Sequence, residues 1–502
     1  MVKFLKKYHK WLGIVLSLFI LFFSISGIVL NHRELFAGFD ISRSWMPQED
    51  QYHNWDNAAV KGTLKVDSSS VLIYGNIGIW KTDIHFQQFS DFTQGIPSGI
   101  DNRKICKLFK DHNGKLFAGT FFGLYQYDFE KENWEKIDIP VYNKRITDIF
   151  EKDNSLYVLT RDYLLQKKEK NDFTILELPE PENYTNKIGL FKTLWVIHSG
   201  EIYGTIGKLI VDLIGIIFIF LTITGLILFI NPRRLKSLRK KDEKIKAIQR
   251  SQKWNLKWHN KLGWTTIVLL LITTITGMFL RPPLLIPIAN KQVEKIPFTH
   301  LDSPNPWNDK LRRILYDEAK DRFIVATLDG FYYSDDNFQS KLKRFKVQPP
   351  ASVMGVNVFD IVKENTYLVG SFEGLFLWNP VEGSTLDYIE NKNYEKSSER
   401  GSPIGNYLTT GISYDFEGKE TIFTYNLGAF VKGQKNGFVA MPEAIADSPI
   451  SLWNVALEVH TARIYKPIIG MFYLLIIPLS GILMIFILIS GFVVWFKKYR
   501  SK

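Results

Sequence analysis

The most prominent feature of the chain is a set of four uncharged apolar runs separated by long polar stretches. They cover residues 11–30, 213–230, 262–280 and 468–496. Each is close to or above the ~20 residues that an α-helix needs to cross a bilayer core. The first run is too long for a cleaved signal peptide, and no small-residue cleavage pattern follows it. Four transmembrane helices are therefore predicted, with a tilt or kink in the last at Pro478.

The two long stretches between these runs have the pattern of short β-strands, punctuated by Gly, Asp and Asn. A repeat of ~40 residues is visible, and its clearest copy is KLFAGTFFGLYQY at 115–127. Related runs occupy 71–83, 156–166, 323–334, 367–378 and 421–433. Each stretch thus has three units, and six units fall within the ~4–8 blades of closed β-propellers. One six-bladed propeller assembled from both stretches is predicted, and two independent β-domains are the alternative.

These patterns predict a membrane α-helical bundle joined to an all-β outer domain. The predicted segments are helix 1 at 1–32, a β-rich segment at 33–192, helix 2 at 193–232, a basic loop at 233–257, helix 3 at 258–283, a second β-rich segment at 284–452, and helix 4 with the tail at 453–502.

Basic charge is concentrated beside the apolar runs. Residues 1–10, 231–258 and 497–502 together carry +17 in a chain whose net charge is +12, so the remainder carries −5. This positive-inside pattern predicts cytoplasmic termini, a cytoplasmic basic loop and β-rich segments on the outer side of the membrane. It also argues against nucleic-acid binding. The single cysteine, Cys106, excludes disulfides, iron–sulfur clusters and haem attachment by C-x-x-C-H.

The two halves of the chain repeat one another. YHKWLG at 8–13 resembles WHNKLG at 258–263, and the same offset maps Gly27 onto Gly277. HSGEIY at 198–203 resembles HTARIY at 460–465, and TG at 224–225 resembles SG at 490–491. The halves share one orientation, so a pseudo-twofold axis along the membrane normal is predicted.

Five of the nine histidines flank the predicted spans, and the duplication pairs four of them. His9 is equivalent to His259 at the cytoplasmic edge, and His198 is equivalent to His460 on the outer side. Interfacial anchoring of helix ends is the simpler interpretation of one such histidine. The predicted axis, however, brings each pair face to face, and two facing imidazoles can bind a metal or ligate a haem iron from both sides. Zinc usually needs four ligands, which favours two haems.

A haem also needs small residues where it lies against a helix. Gly13 and Gly27 follow His9 by 4 and 18 positions, close to whole helical turns, so they share its face. Gly263 and Gly277 repeat this relation to the second half's histidine, although ordinary helix packing explains such glycines equally well. On the outer side, the candidates to bind haem propionates are Arg281 and Arg463.

The fifth flanking histidine, His32, has no twin, because its repeat equivalent is Pro282. It lies 23 residues after His9, about 34 Å along a helix, so it belongs to the outer side. It is an alternative ligand in the outer pair. The remaining histidines lie in polar or turn-rich sequence and are predicted to be exposed or locally hydrogen-bonded: His53, His85, His112 and His300.

At these residues the chain resembles the PepSY-associated transmembrane family. The matching motifs are HKWLG at 9–13, SG at 26–27 and IHSG at 197–200. Some members are di-haem inner-membrane reductases that release iron from ferric siderophores. The resemblance implies two b-type haems, a cytoplasmic electron donor and an outer acceptor such as a ferric siderophore. The outer segments depart from the family, because their repeats resemble the β-propeller repeats in sensor regions of bacterial two-component regulators.

Two other function classes are weighed against electron transfer. A non-enzymatic sensor or binding scaffold would use the β-domain as its binding module, but the longest inner segment, 231–258, is too short for a signalling domain. A transporter is disfavoured, because the spans carry almost no polar residues to line a path.

Overall fold

The computed structural model describes residues 1–168, 171–237, 242–352, 354–394, 405–434 and 438–499. The chain divides into two compact units. The helical unit comprises Met1–Phe36, Asn186–Ser303 and Leu452–Lys502, and the β unit comprises Ala37–Thr185 and Pro304–Ser451.

The α-helices follow the apolar runs and their flanks. In chain order they are α1 Val2–Asn31, α2 Arg33–Phe36, α3 Leu190–Ser199, α4 Gly204–Ser237, α5 Asp242–Thr265, α6 Ile267–Met278, α7 Glu443–Ala446, α8 Leu452–His460, α9 Lys466–Ile469 and α10 Tyr473–Tyr499.

Within the described residues, three helical stretches are long and apolar enough to cross a membrane: Val2–Asn31, Glu201–Ser237 and Arg463–Lys498. The remaining predicted run is divided between α5 and α6, which meet at an angle of 67°. The number of candidate spans is therefore three, or four if this bent pair forms one span. Pro478 lies inside α10, and the chain is interrupted earlier, at Gly470, where φ is +55°.

The helices of the two halves interleave rather than forming separate bundles. The first helix, α1, contacts α4 of its own half and α8 and α10 of the other half. In the same way α4 contacts α5, α6 contacts α10, and α3 contacts α6. A buried apolar cluster at the centre joins Ile214, Leu270 and Leu488 from three different helices. Many other apolar side chains of α1, α4 and α10 point outward, as expected for helices in lipid.

The β-strands are short, and most are separated by tight turns. They are β1 Asp40–Ile41, β2 Gly62–Lys65, β3 Ser70–Gly75, β4 Gly78–Asp83, β5 Phe89–Asp91, β6 Ile105–Lys110, β7 Leu116–Thr120, β8 Leu124–Asp128, β9 Asn133–Ile137, β10 Ile146–Lys152, β11 Ser155–Thr160, β12 Leu164–Lys168, β13 Thr174–Leu176, β14 Lys187–Gly189, β15 Gln292–Glu294, β16 Leu311–Asp317, β17 Arg322–Thr327, β18 Gly330–Ser334, β19 Lys343–Arg344, β20 Val356–Lys363, β21 Thr366–Ser371, β22 Gly374–Asn379, β23 Ser384–Asp387, β24 Lys392–Asn393, β25 Thr409–Phe416, β26 Lys419–Thr424, β27 Gly428–Val431 and β28 Ile450–Ser451.

In the β unit, most strands form antiparallel meanders in which neighbours in sequence are neighbours in the sheet. The meanders are β2 to β5, β6 to β9, β10 to β13, β16 to β19, β20 to β24 and β25 to β27. In this unit β1 also pairs with β28, while β14 and β15 form a small ribbon in the helical unit. The first strand of each meander contacts the first strand of the next, and β25 contacts β2.

The first strands of the meanders share a local irregularity, and a buried ion pair links two of them. In five meanders the first strand has a register shift near its start, as between Ile146 and Asp148. Such bulges sharpen the twist of a strand and redirect its side chains. Asp148 accepts a hydrogen bond from Arg313 at 3.1 Å, and both side chains are buried. Because these residues belong to β10 and β16, the ion pair joins the two sequence segments.

The two segments also share their hydrophobic cores. One cluster packs Trp55 and Ile73 of the first segment against Phe423 of the second. At the same junction, the Thr410 hydroxyl donates to the Val60 carbonyl at 2.9 Å. Another cluster joins residues of β11 and β12 to residues of β16, β17 and β18. The two β-rich segments therefore fold together as one compact unit.

Candidate functional site

The first histidine pair consists of His9 on α1 and His259 on α5. Their ring centroids are 6.2 Å apart, and the ring planes are inclined by 86°. Nδ1 of His9 lies 2.9 Å from the carbonyl oxygen of Ile487 on α10. Nδ1 of His259 lies 2.9 Å from the hydroxyl of Thr224 on α4. Both histidines are half-buried, and each is held by a helix of the opposite half.

The second pair consists of His198 and His460, which lie in the last turns of the short helices α3 and α8. Their centroids are 6.1 Å apart, and the planes are inclined by 50°. Nδ1 of His198 lies 2.9 Å from the carbonyl oxygen of Thr273 on α6. Nδ1 of His460 lies 3.0 Å from the carbonyl oxygen of Phe23 on α1. The duplicated sequence positions thus produce two equivalent pairs.

These contacts fix the tautomer of every ring. A carbonyl oxygen only accepts hydrogen bonds, so Nδ1 must carry the proton in the three rings that face one. For His259 the partner is the Thr224 hydroxyl, which already donates to the Phe220 carbonyl at 2.8 Å and must therefore accept. With Nδ1 protonated, Nε2 of each neutral ring presents a lone pair. Within the described part of the chain, no Nε2 of the four has a hydrogen-bond partner.

Each ring also rests on the glycine of a Ser-Gly or Thr-Gly dipeptide. A Cβ placed on Gly277 would be 2.7 Å from Cε1 of His198, and one on Gly27 would be 3.2 Å from Cε1 of His460. The corresponding distances to the first pair are 2.9 Å from Gly491 and 3.5 Å from Gly225. The hydroxyl before each glycine donates to a carbonyl of its own helix and lies 2.9–3.4 Å from the same ring's Nδ1. Four such dipeptides, one near an end of each apolar run, therefore support the four histidine rings. The glycine under each ring is called its glycine seat.

The second pair depends on a sharp turn after each short helix. Gly200 has φ +79° and ends α3, and Gly204 has φ +60° at the start of α4. Gly200 packs so closely that a Cβ there would be 2.1 Å from the Gly207 carbonyl oxygen. In the other half, Ala462 takes the same left-handed conformation with φ +60°. The turns separate the histidine helices from the long spans, which a continuous helix would not allow.

The two imidazoles of each pair lie close together. Their centroids are 6.2 and 6.1 Å apart, and a neutral ring that is protonated on Nδ1 can offer Nε2 to a metal ion. Each pair therefore can supply two nitrogen ligands. Two such ligands would be enough for a haem, whereas zinc usually needs four.

The glycines predicted to lie against a haem divide into two groups. Gly27 and Gly277 are covered by the rings of the second pair. Gly13 has no atom within 4 Å of a Cβ position, and Gly263 has only a Leu221 methyl at 4.0 Å. Both follow a histidine of the first pair by about one helical turn. Open space therefore adjoins each of these two histidines, where a planar group would need it.

Two arginines accompany the second pair. Arg281 is half-buried and lies within electrostatic range of both Arg463 and His460. Arg463 donates to Glu458 through one terminal nitrogen, while its buried Nε has no hydrogen-bond partner among the residues that the structure describes. Two neighbouring guanidinium groups with an unsatisfied donor favour a bound anion. Haem propionates would satisfy them.

His32, the alternative outer ligand, has a different partner. Its Nε2 lies 2.5 Å from Oδ2 of Asp212 on α4, and Asn31 donates to Oδ1 of the same carboxylate at 3.0 Å. Asp212 is only 8% exposed, and a carboxylate buried in a membrane helix requires such partners. His32 is thus engaged through its Nε2, whereas His198 faces His460.

The four remaining histidines lie at exposed or half-exposed positions beside acidic groups or backbone. His85 pairs with Glu417 at 2.6 Å, His112 pairs with Glu151, His300 lies 3.8 Å from Glu201, and His53 contacts a backbone carbonyl. Among the described residues, no group of three or more His, Cys, Asp or Glu side chains converges to hold a metal ion.

Sequence reasoning missed the residues that hold the rings. Gly225 and Gly491 were recognised only because their dipeptides match between the two halves. The hydroxyls that were not assigned a role are those of Ser26, Thr224, Thr276 and Ser490. The signal was present, since a Ser-Gly or Thr-Gly dipeptide occurs near an end of every apolar run. Asp212, the partner of His32, was likewise not assigned a role.

Comparison with solved structures gives weak likenesses. The extracellular domain of a hybrid two-component system from B. thetaiotaomicron is 11% identical, with a TM-score of 0.34 over 75% of this chain and 33% of that one. PorZ, a surface component of the type-IX secretion system of Porphyromonas gingivalis, is also 11% identical, with a TM-score of 0.33 over 75% of this chain and 38% of PorZ. The computationally designed protein Ika8 is 9% identical, with a TM-score of 0.29 over 77% and 92%. The chain spans only about a third to two fifths of the length of the first two.

Comparison with curated proteins found no significant match. A family comparison, in contrast, matched residues 180–498 to the PepSY-associated TM region. That match covers more than half of the chain. It includes three of the four paired histidines and three of the four glycines on which the rings rest. The membrane and PepSY-associated predictions are thereby confirmed, and the chain belongs to the PepSY-associated TM region family.

Proposed function

We propose that this protein is a transmembrane electron carrier that binds two b-type haems, each between two histidines. The observation that carries the proposal is the fourfold repetition of one arrangement. Each histidine has Nδ1 tied to a helix of the opposite half, rests on a glycine, and faces its repeat equivalent at 6.1–6.2 Å. Ordinary interfacial anchors need none of these features.

The chain's own residues set the properties of such sites. The carbonyl and hydroxyl partners of Nδ1 orient each imidazole and fix its tautomer, as outer-shell hydrogen bonds do at metal-bound histidines. His9 and His259 would hold one haem, and His198 and His460 the other, with Arg281 and Arg463 placed to bind propionates. Haem supplies reversible one-electron chemistry when bound. Along α1, His9 and Gly27 are 18 residues or about 27 Å apart, so the two pairs lie near opposite membrane faces.

Two further features of the architecture belong to the proposal. The bent pair α5 and α6 serves as the fourth span, because it is the repeat of α1 and carries the equivalent histidine. The proposed topology has the first pair on the cytoplasmic side and the β unit in the periplasm of a bacterial inner membrane. The basic flanks support this orientation, and the family resemblance supports the choice of membrane. Electrons would enter from a cytoplasmic donor and leave to an outer acceptor. By its family resemblance, the acceptor class is a ferric chelate or siderophore.

The β unit is proposed to be a six-bladed propeller built from both sequence segments. Its support is the cyclic series of contacts between the first strands of six meanders and the shared cores at both junctions. The test is a disulfide across the closing junction, where the hydroxyls of Thr63 and Ser413 are 2.7 Å apart. In Thr63→Cys/Ser413→Cys, with a protease site between residues 238 and 241, the two halves should stay linked after cleavage until reductant is added. Separation without reductant would contradict the closure.

The experiment for the haem proposal is spectroscopic. The purified chain should show b-type bands in a reduced-minus-oxidised spectrum and contain two haems per chain. His9→Ala and His259→Ala should remove the same haem, and His198→Ala and His460→Ala the other, so each variant keeps about half. The control is His112→Ala, which should retain both.

Several results would contradict the assignment. Absence of b-type bands would refute the haem proposal as a whole. Full haem content in His259→Ala would refute the first pair. Full content in His460→Ala, with loss in His32→Ala, would make His32 the outer ligand instead. Reoxidation of the reduced protein by a ferric siderophore tests the acceptor class separately, and a protein that stays reduced would exclude that acceptor.

A further inference from the structure

Helix α5 presents a continuous basic stripe beside the first histidine pair. The cations recur at spacings of three and four residues, which places them on one face, and all five are exposed: Lys246, Arg250, Lys253, Lys257 and Lys261. At 100° per residue they fall within an arc of about 80°. Among the described residues, no acidic side chain pairs with any of them.

The opposite face of α5 packs into the bundle. It carries His259 and Asn255, which is only 4% exposed. The stripe therefore points away from the bundle, and the thickness of one helix, about 10–12 Å, separates it from the ring of His259. A partner that lies on this stripe would therefore be separated from the first pair by the thickness of one helix.

An exposed aromatic side chain flanks the stripe. Trp254 is 53% exposed, although one edge of its ring contacts Phe220 at 5.9 Å. On the helical wheel it lies beside Arg250 and Lys261. Tryptophan and arginine are both enriched in protein interfaces.

Lipid headgroups would also attract such a stripe. α4 continues from 231 to 237, about 10 Å, past the end of its apolar run before the chain returns as α5. Lys246 and Arg250 are the stripe residues that follow this extension first along the chain. Binding to lipid is therefore a separate outcome of the test.

We infer that this face of α5 is the docking surface for a water-soluble electron carrier with an acidic surface. The inference rests on the proposed electron-transfer function and specifies its donor as a class. Opposite charges would steer encounter and fix the orientation, so association should be fast and sensitive to salt.

The test measures binding directly, so that it does not depend on haem. The full chain is placed in phosphatidylcholine nanodiscs, and its affinity for an acidic flavodoxin is measured at increasing ionic strength. The variant Arg250→Glu/Lys253→Glu/Lys257→Glu reverses the stripe. The matched control Lys3→Glu/Lys6→Glu/Lys7→Glu makes the same charge change on α1. A milder set, Arg250→Gln/Lys253→Gln/Lys257→Gln, covers the case in which the reversed variant does not fold.

The expected result is binding that weakens with salt and falls about tenfold or more in the α5 variants, with little change in the α1 control. Equal losses in both sets would mean that only net charge matters and would overturn the inference. Absence of flavodoxin binding by the unchanged protein would also overturn the inference. The same holds for a stripe variant that keeps its affinity for flavodoxin and loses affinity only for phosphatidylglycerol vesicles. A chain that binds flavodoxin but shows no b-type bands would support the docking surface and refute the proposed function.

Discussion

The glycine seats offer the sharpest test of the paired histidines, because their clearances differ. Alanine at Gly277 would place Cβ 2.7 Å from the ring of His198, whereas ordinary contact begins near 3.4 Å. The ring would have to move by about 0.7 Å, yet its Nδ1 is held by the Thr273 carbonyl at 2.9 Å. Overpacking of this kind costs ~1–3 kcal/mol, which corresponds to about 5–150-fold in affinity for the bound group.

The clearances at the other three glycines form a graded series, and one of these glycines serves as an internal control. Clearance grows from Gly491 at 2.9 Å to Gly27 at 3.2 Å and Gly225 at 3.5 Å. Gly491→Ala should therefore impair the first pair, while Gly225→Ala, which touches the same pair, should leave it intact. Alanine favours helix over glycine by ~1 kcal/mol, so helix destabilisation does not explain a loss.

The assay is the haem content and redox titration of each variant in membranes. Gly277→Ala should lose or shift only the haem of the second pair. The reasoning fails if Gly277→Ala keeps both haems with unchanged potentials, or if Gly225→Ala loses as much as Gly491→Ala.

Three further predictions follow from other parts of the structure. Gly200→Ala should abolish the second site, since its Cβ would meet the Gly207 carbonyl oxygen at 2.1 Å, while Ala462→Gly at the equivalent turn should be tolerated; equal haem content in the two would contradict the role of the turn. Asp148→Ala should leave the buried Arg313 unpaired and destabilise the β unit by ~3–5 kcal/mol in thermal unfolding, and the exposed Asp138→Ala serves as the control that should not shift the transition. Reporter fusions after residues 245 and 502 should both report the cytoplasm, and an outside signal from either would reverse the proposed topology.

Much of the membrane part could be predicted from the sequence, because hydropathy and charge are local properties. A run such as 11–30 crosses a bilayer whatever its neighbours do, since backbone groups in lipid must be satisfied within the helix. The duplication could also be recognised from the sequence, because HKWLG and HNKLG each precede the next Ser-Gly or Thr-Gly dipeptide by the same number of residues. The pairing of His9 with His259 followed from that symmetry alone, and the rings indeed face each other.

The tertiary structure decided how the rings are held. Nothing local shows that His9 rests on Gly491, nearly five hundred residues away, or that Gly27 seats a histidine of the other half. Apolar helices can pack at many heights and rotations with similar burial, so only the assembled bundle selects which carbonyl meets which imidazole. The same holds for His32, whose partner Asp212 lies on another helix, and for the bend between α5 and α6. Hydropathy and symmetry thus determined the elements and the pairs, and long-range packing determined which groups hold each ring.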